Sequence, residues 1–235
     1  MADRPYTVLS GAMSIDGYLD SPTVKPLLLS NPTDFERVDS VRASCDAILV
    51  GAATVRNDNP RLLVRSEELR NQRLARGLPA SPIKVTVTGC GRLDSCASFF
   101  VTGDIEKLVY STSSGLQEAR SRLSSVATVV DGGQALDMRR ISEDLHRRGV
   151  RRLMVEGGGT VLTQFLTEDV ADELQLVVAP FFVGGSGARR FVGDGTFPWH
   201  PRRRAALAEV RQLGDVVLLR YALSTRFRSD QLQEV

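Results

Sequence analysis

Apolar residues along the chain fall into two alternating patterns, short continuous runs and steps of three and four, from one end to the other. Tyr6 to Met13 reads as a first strand, closed by the turn pair Asp16-Gly17. Asn31-Pro32-Thr33-Asp34 then opens a helix. Asn is an N-cap, proline suits the first helical position, and an acid in the first turn meets the positive end of the peptide dipoles. Phe35, Val38 and Val41 carry its apolar face to about Cys45. Asp46 to Val50 is nearly all apolar, as a strand covered on both faces must be. Ile83 to Thr88, Lys107 to Tyr110, Val126 to Val130, Arg152 to Val155 and Glu173 to Ala179 are further strands. Helices are predicted over Leu116 to Leu123, from an Asp137 cap to a stop at Gly149, and from a glycine turn through Phe165. Ala205 to Leu213 and Val216 to Leu223 flank Gly214-Asp215 and read as an antiparallel pair. The stretch 62–82 is loose and arginine-rich, a surface excursion or a mobile loop, and 226–235 is a polar, frayed tail. The pattern predicts an α/β fold in one domain over 1–225: a mostly parallel central sheet flanked by helices, closed by an antiparallel C-terminal strand pair.

Charge and composition narrow the partners. The 235 residues carry 30 basic and 28 acidic side chains, a net charge of +2, so no global field calls for nucleic acid or an anionic membrane. No apolar stretch approaches the roughly 18–20 residues that span a bilayer. The start, Met1-Ala2-Asp3-Arg4-Pro5, lacks the apolar core of a signal peptide, and a cytoplasmic location is expected. Cys45, Cys90 and Cys96 are odd in number and have no metal-ligand spacing, and the only histidines are His146 and His200. Neither a disulfide framework nor a metal is expected.

Two segments carry candidate chemistry. Val155-Glu156-Gly157-Gly158-Gly159-Thr160-Val161-Leu162 is a buried strand turning through three glycines into a helix. Such a turn exposes unpaired backbone N–H groups and removes the Cβ atoms that would keep a phosphate away, though a tight turn alone also wants glycine. It is not Gly-x-Gly-x-x-Gly, because Leu162 stands at the third glycine position. The second segment, Gly51 to Arg65, follows a buried strand and so begins where open α/β sheets bind ligands. It offers the Thr54 hydroxyl, the Asp58 carboxylate, and the guanidiniums of Arg61 and Arg65, suited to phosphate. Asp58-Asn59-Pro60 is equally plain turn chemistry. Gly184 to Gly187, before Arg189 and Arg190, reads as a mobile turn rather than an anion site, and Arg147, Arg148, Arg151 and Arg202 to Arg204 face solvent.

In this order the segments resemble the riboflavin-biosynthesis pyrimidine reductase family, the dihydrofolate-reductase-like domain found at the C-terminus of the bifunctional bacterial deaminase/reductase. The resemblance runs from about Tyr6 to Leu223. It rests on Ala12-Met13-Ser14-Ile15-Asp16-Gly17, Asp46 to Gly51 with Thr54-Val55, Asp58-Asn59-Pro60-Arg61-Leu62, Val155-Glu156-Gly157-Gly158 and Ala179-Pro180. It implies an NADPH-dependent enzyme that passes a hydride to C1′ of 5-amino-6-(5-phosphoribosylamino)uracil and works as a homodimer. Carried over by position, Arg42, the Leu62 backbone and Arg65 would hold the substrate phosphate, helped by Arg61. Glu156 would accept hydrogen bonds from the pyrimidine, and Thr54 and Asp58 would lie where cofactor and substrate meet, Asp58 supplying a proton or its charge. Gly157, Gly158, Gly159, Thr160 and Val161 would take the cofactor pyrophosphate, Ala12 the nicotinamide half, and Gly89 and Arg92 the adenosine ribose and its 2′-phosphate.

The chain departs from many bacterial members in having Ser10 for a lysine, Leu28 for a tryptophan and Thr88-Gly89 for an Asp-Ser pair, and it contains no zinc-deaminase segment. A paralogue that reduces a dihydropterin or another heterocycle, and a non-catalytic NADP-binding paralogue, are the alternatives.

Overall fold

Ala47–Gly51 is buried at every position, and its side chains divide by parity between two separate apolar clusters. Ile48 and Val50 pack on one face of the sheet with Val8, Val109 and Met154; Ala47 and Leu49 pack on the other with Leu9, Val85, Leu153 and Val155. Period-two alternation in a doubly covered strand produces this division. The computed structural model describes residues 3–21, 27–185 and 187–228. Its strands are β1 (Tyr6–Ser14), β2 (Ala47–Gly51), β3 (Ile83–Thr88), β4 (Lys107–Ser111), β5 (Thr128–Asp131), β6 (Arg152–Val155), β7 (Glu173–Ala179), β8 (Ala206–Leu213) and β9 (Val216–Ala222). The helices are α1 (Pro32–Ala43), α2 (Ala52–Asp58), α3 (Glu67–Ala75), α4 (Ser98–Val101), α5 (Leu116–Leu123), α6 (Met138–Arg147) and α7 (Gly159–Thr167).

Among the described residues the strands form one sheet in the order β5-β4-β3-β2-β6-β1-β7-β9-β8. Pairing is parallel from β5 to β7 and antiparallel for β7–β9 and β9–β8, as the sequence pattern predicts. The chain first builds outward from β2 to β5, with apolar residues of α1, α2, α4 and α5 in one cluster. It then changes face. Met138, Ile141 and Leu145 of α6 and Val161, Leu162 and Phe165 of α7 belong to the opposite cluster, and β6 returns to the centre between β2 and β1. Adjacent strands β2 and β6 therefore lead into helices on opposite faces, which opens a crevice at their carboxyl ends.

Polar anchors fix this frame. Asn31 caps α1 as predicted, its Oδ1 accepting from the Asp34 amide at 3.0 Å. Its Nδ2 donates to the Leu213 carbonyl and to Asp215, which ties the start of α1 to the β8–β9 turn. Asp172, wholly buried ahead of β7, accepts from Arg4, Arg226, Ser224 and the Thr7 amide, drawing both ends of the described chain together.

Three expectations need correction. The 62–82 stretch is not a loose loop: it contains α3, capped by Ser66 with Glu67 and Glu68 in the first turn. Arg73, 3% exposed, reaches from α3 to the carbonyls of Ala43, Cys45 and Pro79. The predicted strand start at Val126 lies two residues early, because the Val126 and Ala127 amides are taken by Leu123 at the end of α5. The tail is not frayed at its root, since Arg226 also donates to the carbonyls of Arg4 and Pro5; 229–235 lie outside the described residues.

Asp172→Ala leaves Arg4 without its buried partner, and it should lower the unfolding free energy by about 3–5 kcal/mol. Denaturant titration checks this; a loss below about 1 kcal/mol would show that Asp172 does not hold the chain ends.

Candidate active site

The crevice holds two cavities that meet at the end of β6. One, about 700 Å³, lies on the α1 side and is lined by β1 residues Ser10 to Ala12, by α1 and its approach, by the segment Pro60 to Arg65, and by Arg70 and Glu156. The other, about 1190 Å³, lies between α2 and the start of α7. Its walls include Gly51, Gly89, Cys90, Gly158 to Val161 and the segment around Arg189 and Arg190. Glu156 belongs to the first and Gly158 to the second, so two residues of backbone carry the wall between them.

Local chain geometry places the first cavity's cations. Asn59 and Leu62 both adopt left-handed φ, 44° and 47°, so the chain leaves α2 in a sharp reversal that brings Arg61 to Arg65 back over α1. Asp39, buried on α1, then accepts from the amides of Arg65 and Ser66. The Arg65 guanidinium lies over the Phe35 ring at 5.2 Å and is 54% exposed. Arg61 is exposed and has no hydrogen-bond or ionic partner among the described residues. Arg70 donates only to the carbonyls of Val64 and Arg65. Three guanidiniums thus border one cavity, and among the described residues the one carboxylate ion-paired to any of them is Asp39, 3.9 Å from Arg65. An anion of phosphate geometry satisfies that excess.

Arg42 and Glu156 meet each other rather than separate ligand groups. Arg42 Nε and Nη2 donate to the two carboxylate oxygens at 2.6 and 2.7 Å, and Nη1 donates to the Leu63 carbonyl at 3.2 Å. Arg42 is therefore largely spent on orienting Glu156 and the 61–65 segment. Each Glu156 oxygen keeps a further lone pair for a ligand N–H.

The second cavity suits an extended nucleotide. Gly157 has φ of +107° and joins Gly158 through a cis peptide, while its carbonyl accepts from the Gly51 amide at 2.8 Å. The first amides of α7 have no intrahelical acceptors, and they line the cavity. Side chains are excluded here. A Cβ on Gly51 would stand 2.9 Å from Val161 Cγ2, and one on Gly159 would stand 2.7 Å from the Arg190 carbonyl oxygen. Thr54, in the first turn of α2, comes within 3.3 Å of a Gly158 Cβ position and so sits against the seam.

Other expected positions move. Ala12 lines the first cavity, not the nucleotide-sized one. Gly89 lines the second, but Arg92 is exposed and outside it, its carbonyl accepting from Arg56 at 3.4 Å. Asp58 is exposed at the last residue of α2 and lines neither cavity. Arg56, Arg189 and Arg190 line the second cavity instead, which corrects the reading of 184–190 as merely a turn; Ser186 lies outside the described residues. Arg56 was legible in principle, one helical turn beyond Ala52 and Ala53 on the same wall.

The family model of the RibD C-terminal domain matches residues 5–219. A protein of Archaeoglobus fulgidus named 2,5-diamino-6-ribosylamino-4(3H)-pyrimidinone 5′-phosphate reductase is 32% identical over 225 residues, 95% of this chain and 99% of its own. One of the same name from Methanothermobacter thermautotrophicus is 33% identical over 226 residues, 94% and 99% of the two chains. The crystal structure of a pyrimidine reductase-like protein from Corynebacterium diphtheriae superposes with a TM-score of 0.79 at 23% identity, covering 93% of this chain and 91% of that one.

Gly159→Ala should weaken nicotinamide-dinucleotide binding at least about tenfold, because a methyl there would stand 2.7 Å from the Arg190 carbonyl oxygen and must displace backbone at the cavity wall. Fluorescence titration of the dinucleotide reads this; unchanged affinity would remove the glycine turn from the site.

Proposed function

The chain belongs to the RibD C-terminal domain family, and from that premise we propose that it reduces a 6-ribosylaminopyrimidine 5′-phosphate with NADPH, giving the ribitylamino product of riboflavin biosynthesis. The observation that carries this reading is the pair of cavities sharing one strand end, one edged by the guanidiniums of Arg61, Arg65 and Arg70 and the other by helix-start amides. Two phosphorylated partners, held on either side of residues 156–158, are thereby brought edge to edge, and orientation is the main contribution a protein makes to hydride transfer.

The substrate's phosphate lies against Arg61 and Arg65, with the Leu62 backbone and Arg70 beside them. Glu156, braced by Arg42, accepts from the pyrimidine's N–H groups. The amides of Gly158, Gly159 and Thr160 take the cofactor pyrophosphate, with Val161, Gly157 and Thr54 shaping the turn and Gly89 the far wall. When bound, the nicotinamide supplies a hydride to C1′ of the ring-opened imine. Arg56, Arg189 and Arg190 give the second cavity the positive charge that a 2′-phosphate requires, which favours NADPH over NADH. Arg92 and Asp58 are given no part.

We place the reaction in the cytoplasm, which suits the free thiols of Cys45, Cys90 and Cys96; no helix among the described residues is long and apolar enough to cross a membrane. A homodimer through β8 completes the reading. That strand ends the sheet, and Leu207 and Val210 on it are 55% and 59% exposed, beside the exposed Val217 of β9. Two such edges close a symmetric pair.

NADPH oxidation at 340 nm in the presence of the ribosylaminopyrimidine phosphate tests the reaction. Arg61→Ala and Arg65→Ala should each raise KM about tenfold or more while kcat changes little, since a phosphate is held equally in ground and transition states. No pyrimidine-dependent oxidation would overturn the assignment. For the assembly, Val210→Lys should convert a dimeric elution to a monomeric one in light-scattering chromatography; a wild-type monomer would refute the pairing.

A further inference from the structure

Two arginines that line the first cavity, Arg42 and Arg70, hold the 61–65 segment by the same device. Arg42 donates from Nη1 to the Leu63 carbonyl, and its Nε and Nη2 grip the two carboxylate oxygens of Glu156 at 2.6 and 2.7 Å. Arg70 donates from Nη1 to the carbonyls of Val64 and Arg65, at 3.2 and 2.5 Å. Its Nε and Nη2 have no partner among the described residues. These two nitrogens form the side-on edge of a guanidinium, which matches a pair of oxygens on a carboxylate or phosphate. Arg42 has its anion within the chain; Arg70 has none.

The open edge is set before anything binds. Arg70 stands on α3, whose capping residue Ser66 donates its amide to Asp39 at 2.7 Å. Arg73, one turn beyond, is buried and donates to the carbonyls of Ala43, Cys45 and Pro79. Two carbonyls on one nitrogen then fix the guanidinium of Arg70 against the segment it braces. The neighbouring cations are less well prepared. Arg65 lies over the Phe35 ring, donates from Nη2 to the Phe35 carbonyl at 3.2 Å, and has Nε 3.9 Å from Asp39. Arg61 is exposed and must be ordered by its ligand. A group already held in its binding geometry loses less entropy on binding than either of these.

We propose that the Nε–Nη2 edge of Arg70 is the principal grip on the sugar 5′-phosphate, taking two of its oxygens side-on, with Arg61 and Arg65 adding charge around it. The proposal rests on the pyrimidine-reductase reading above for the remainder of the substrate. Arg70 is a binding residue in this account and a brace as well. The same side chain fixes the backbone that presents Arg61 and Arg65 and completes the anion site with its free edge. A lysine cannot replace it, because an ammonium offers charge and donors without a planar pair of N–H groups.

The test compares kcat/KM for the ribosylaminopyrimidine 5′-phosphate and for its phosphate-free nucleoside in wild type, Arg70→Ala and Arg70→Lys. The ratio of the two isolates the phosphate contact, since a loosened fold lowers both values together. Arg70→Ala should reduce that ratio about tenfold or more, through KM for the phosphorylated substrate. Arg70→Lys retains a cation able to hold the Val64 and Arg65 carbonyls, and it should lose most of the ratio as well; it carries the test if Arg70→Ala does not fold. An unchanged ratio in either variant would overturn the proposal, as would an equal loss for both substrates. Calorimetric titration with ribose 5-phosphate and with ribose needs neither pyrimidine nor turnover. Wild type should bind the phosphate ester about tenfold tighter or more, and both variants should lose that margin. Equal binding of the two sugars by wild type would sink the site. A chain that oxidises no NADPH yet binds ribose 5-phosphate through Arg70 loses the reductase reading and retains this one.

Discussion

Everything in the crevice depends on where β6 enters the sheet. The chain spends β2 to β5 moving outward, then crosses to the other face and inserts a four-residue strand between β2 and β1. The insertion is held by backbone bonds that outlast the strand: the Glu156 amide donates to Leu49, and the Gly51 amide donates to Gly157. With its amide fixed on β2, Glu156 projects to the α1 side, and the chain must turn at once to begin α7 on the opposite face. Glycine suits that turn, because Gly157 takes a left-handed φ of +107° and the Arg190 carbonyl oxygen occupies the space a Cβ would need at Gly159. A side chain on one side and bare amides on the other follow from one requirement, that consecutive residues serve opposite faces of the sheet.

Helix α1 then does what an amphipathic helix usually does not. Its apolar contribution is small; Asp34, Asp39 and Val41 are its buried residues. Spacings of three along 31, 34 and 37, and again along 39 and 42, put capping, ion-pairing and loop-holding groups on the sides of the helix that meet the sheet, the 61–66 segment and the cavity. Every one of those charges has a defined partner. Buried polar groups are tolerable on those terms alone, and once satisfied they specify geometry more sharply than apolar packing does.

The parts of this architecture that were legible in the chain are those written in local periodicity. All nine strands, the Asn31 and Asp137 caps, and the glycine turn after β6 follow from runs, spacings and caps within a dozen residues. Helix α3 was missed although Ser66-Glu67-Glu68 is a proper start, since its only deeply buried side chain is an arginine. No apolar stripe announces a helix that is anchored by Arg73 to carbonyls about 30 residues earlier. Within the candidate site the limit is the same. Arg42 and Glu156 are 114 residues apart, and nothing local in either says that they pair. Arg92 and Arg56 were both arginines near the right strand ends; only the turn of α2 decides which of them faces the cavity.

The clamp from α1 to the 63–66 segment has a thermodynamic consequence. Asp39 grips two consecutive amides and Arg42 grips a carbonyl, so the backbone that presents Arg61 and Arg65 is already immobilised against the helix. An anion that bound there would not have to organise a floppy strap, because the conformational entropy of that strap is surrendered when the chain folds. What the clamp fixes is the distance between the backbone bearing Arg61 and Arg65 and the Glu156 carboxylate, so the reach between an anionic group and a ring held there would be set by the fold rather than by the ligand.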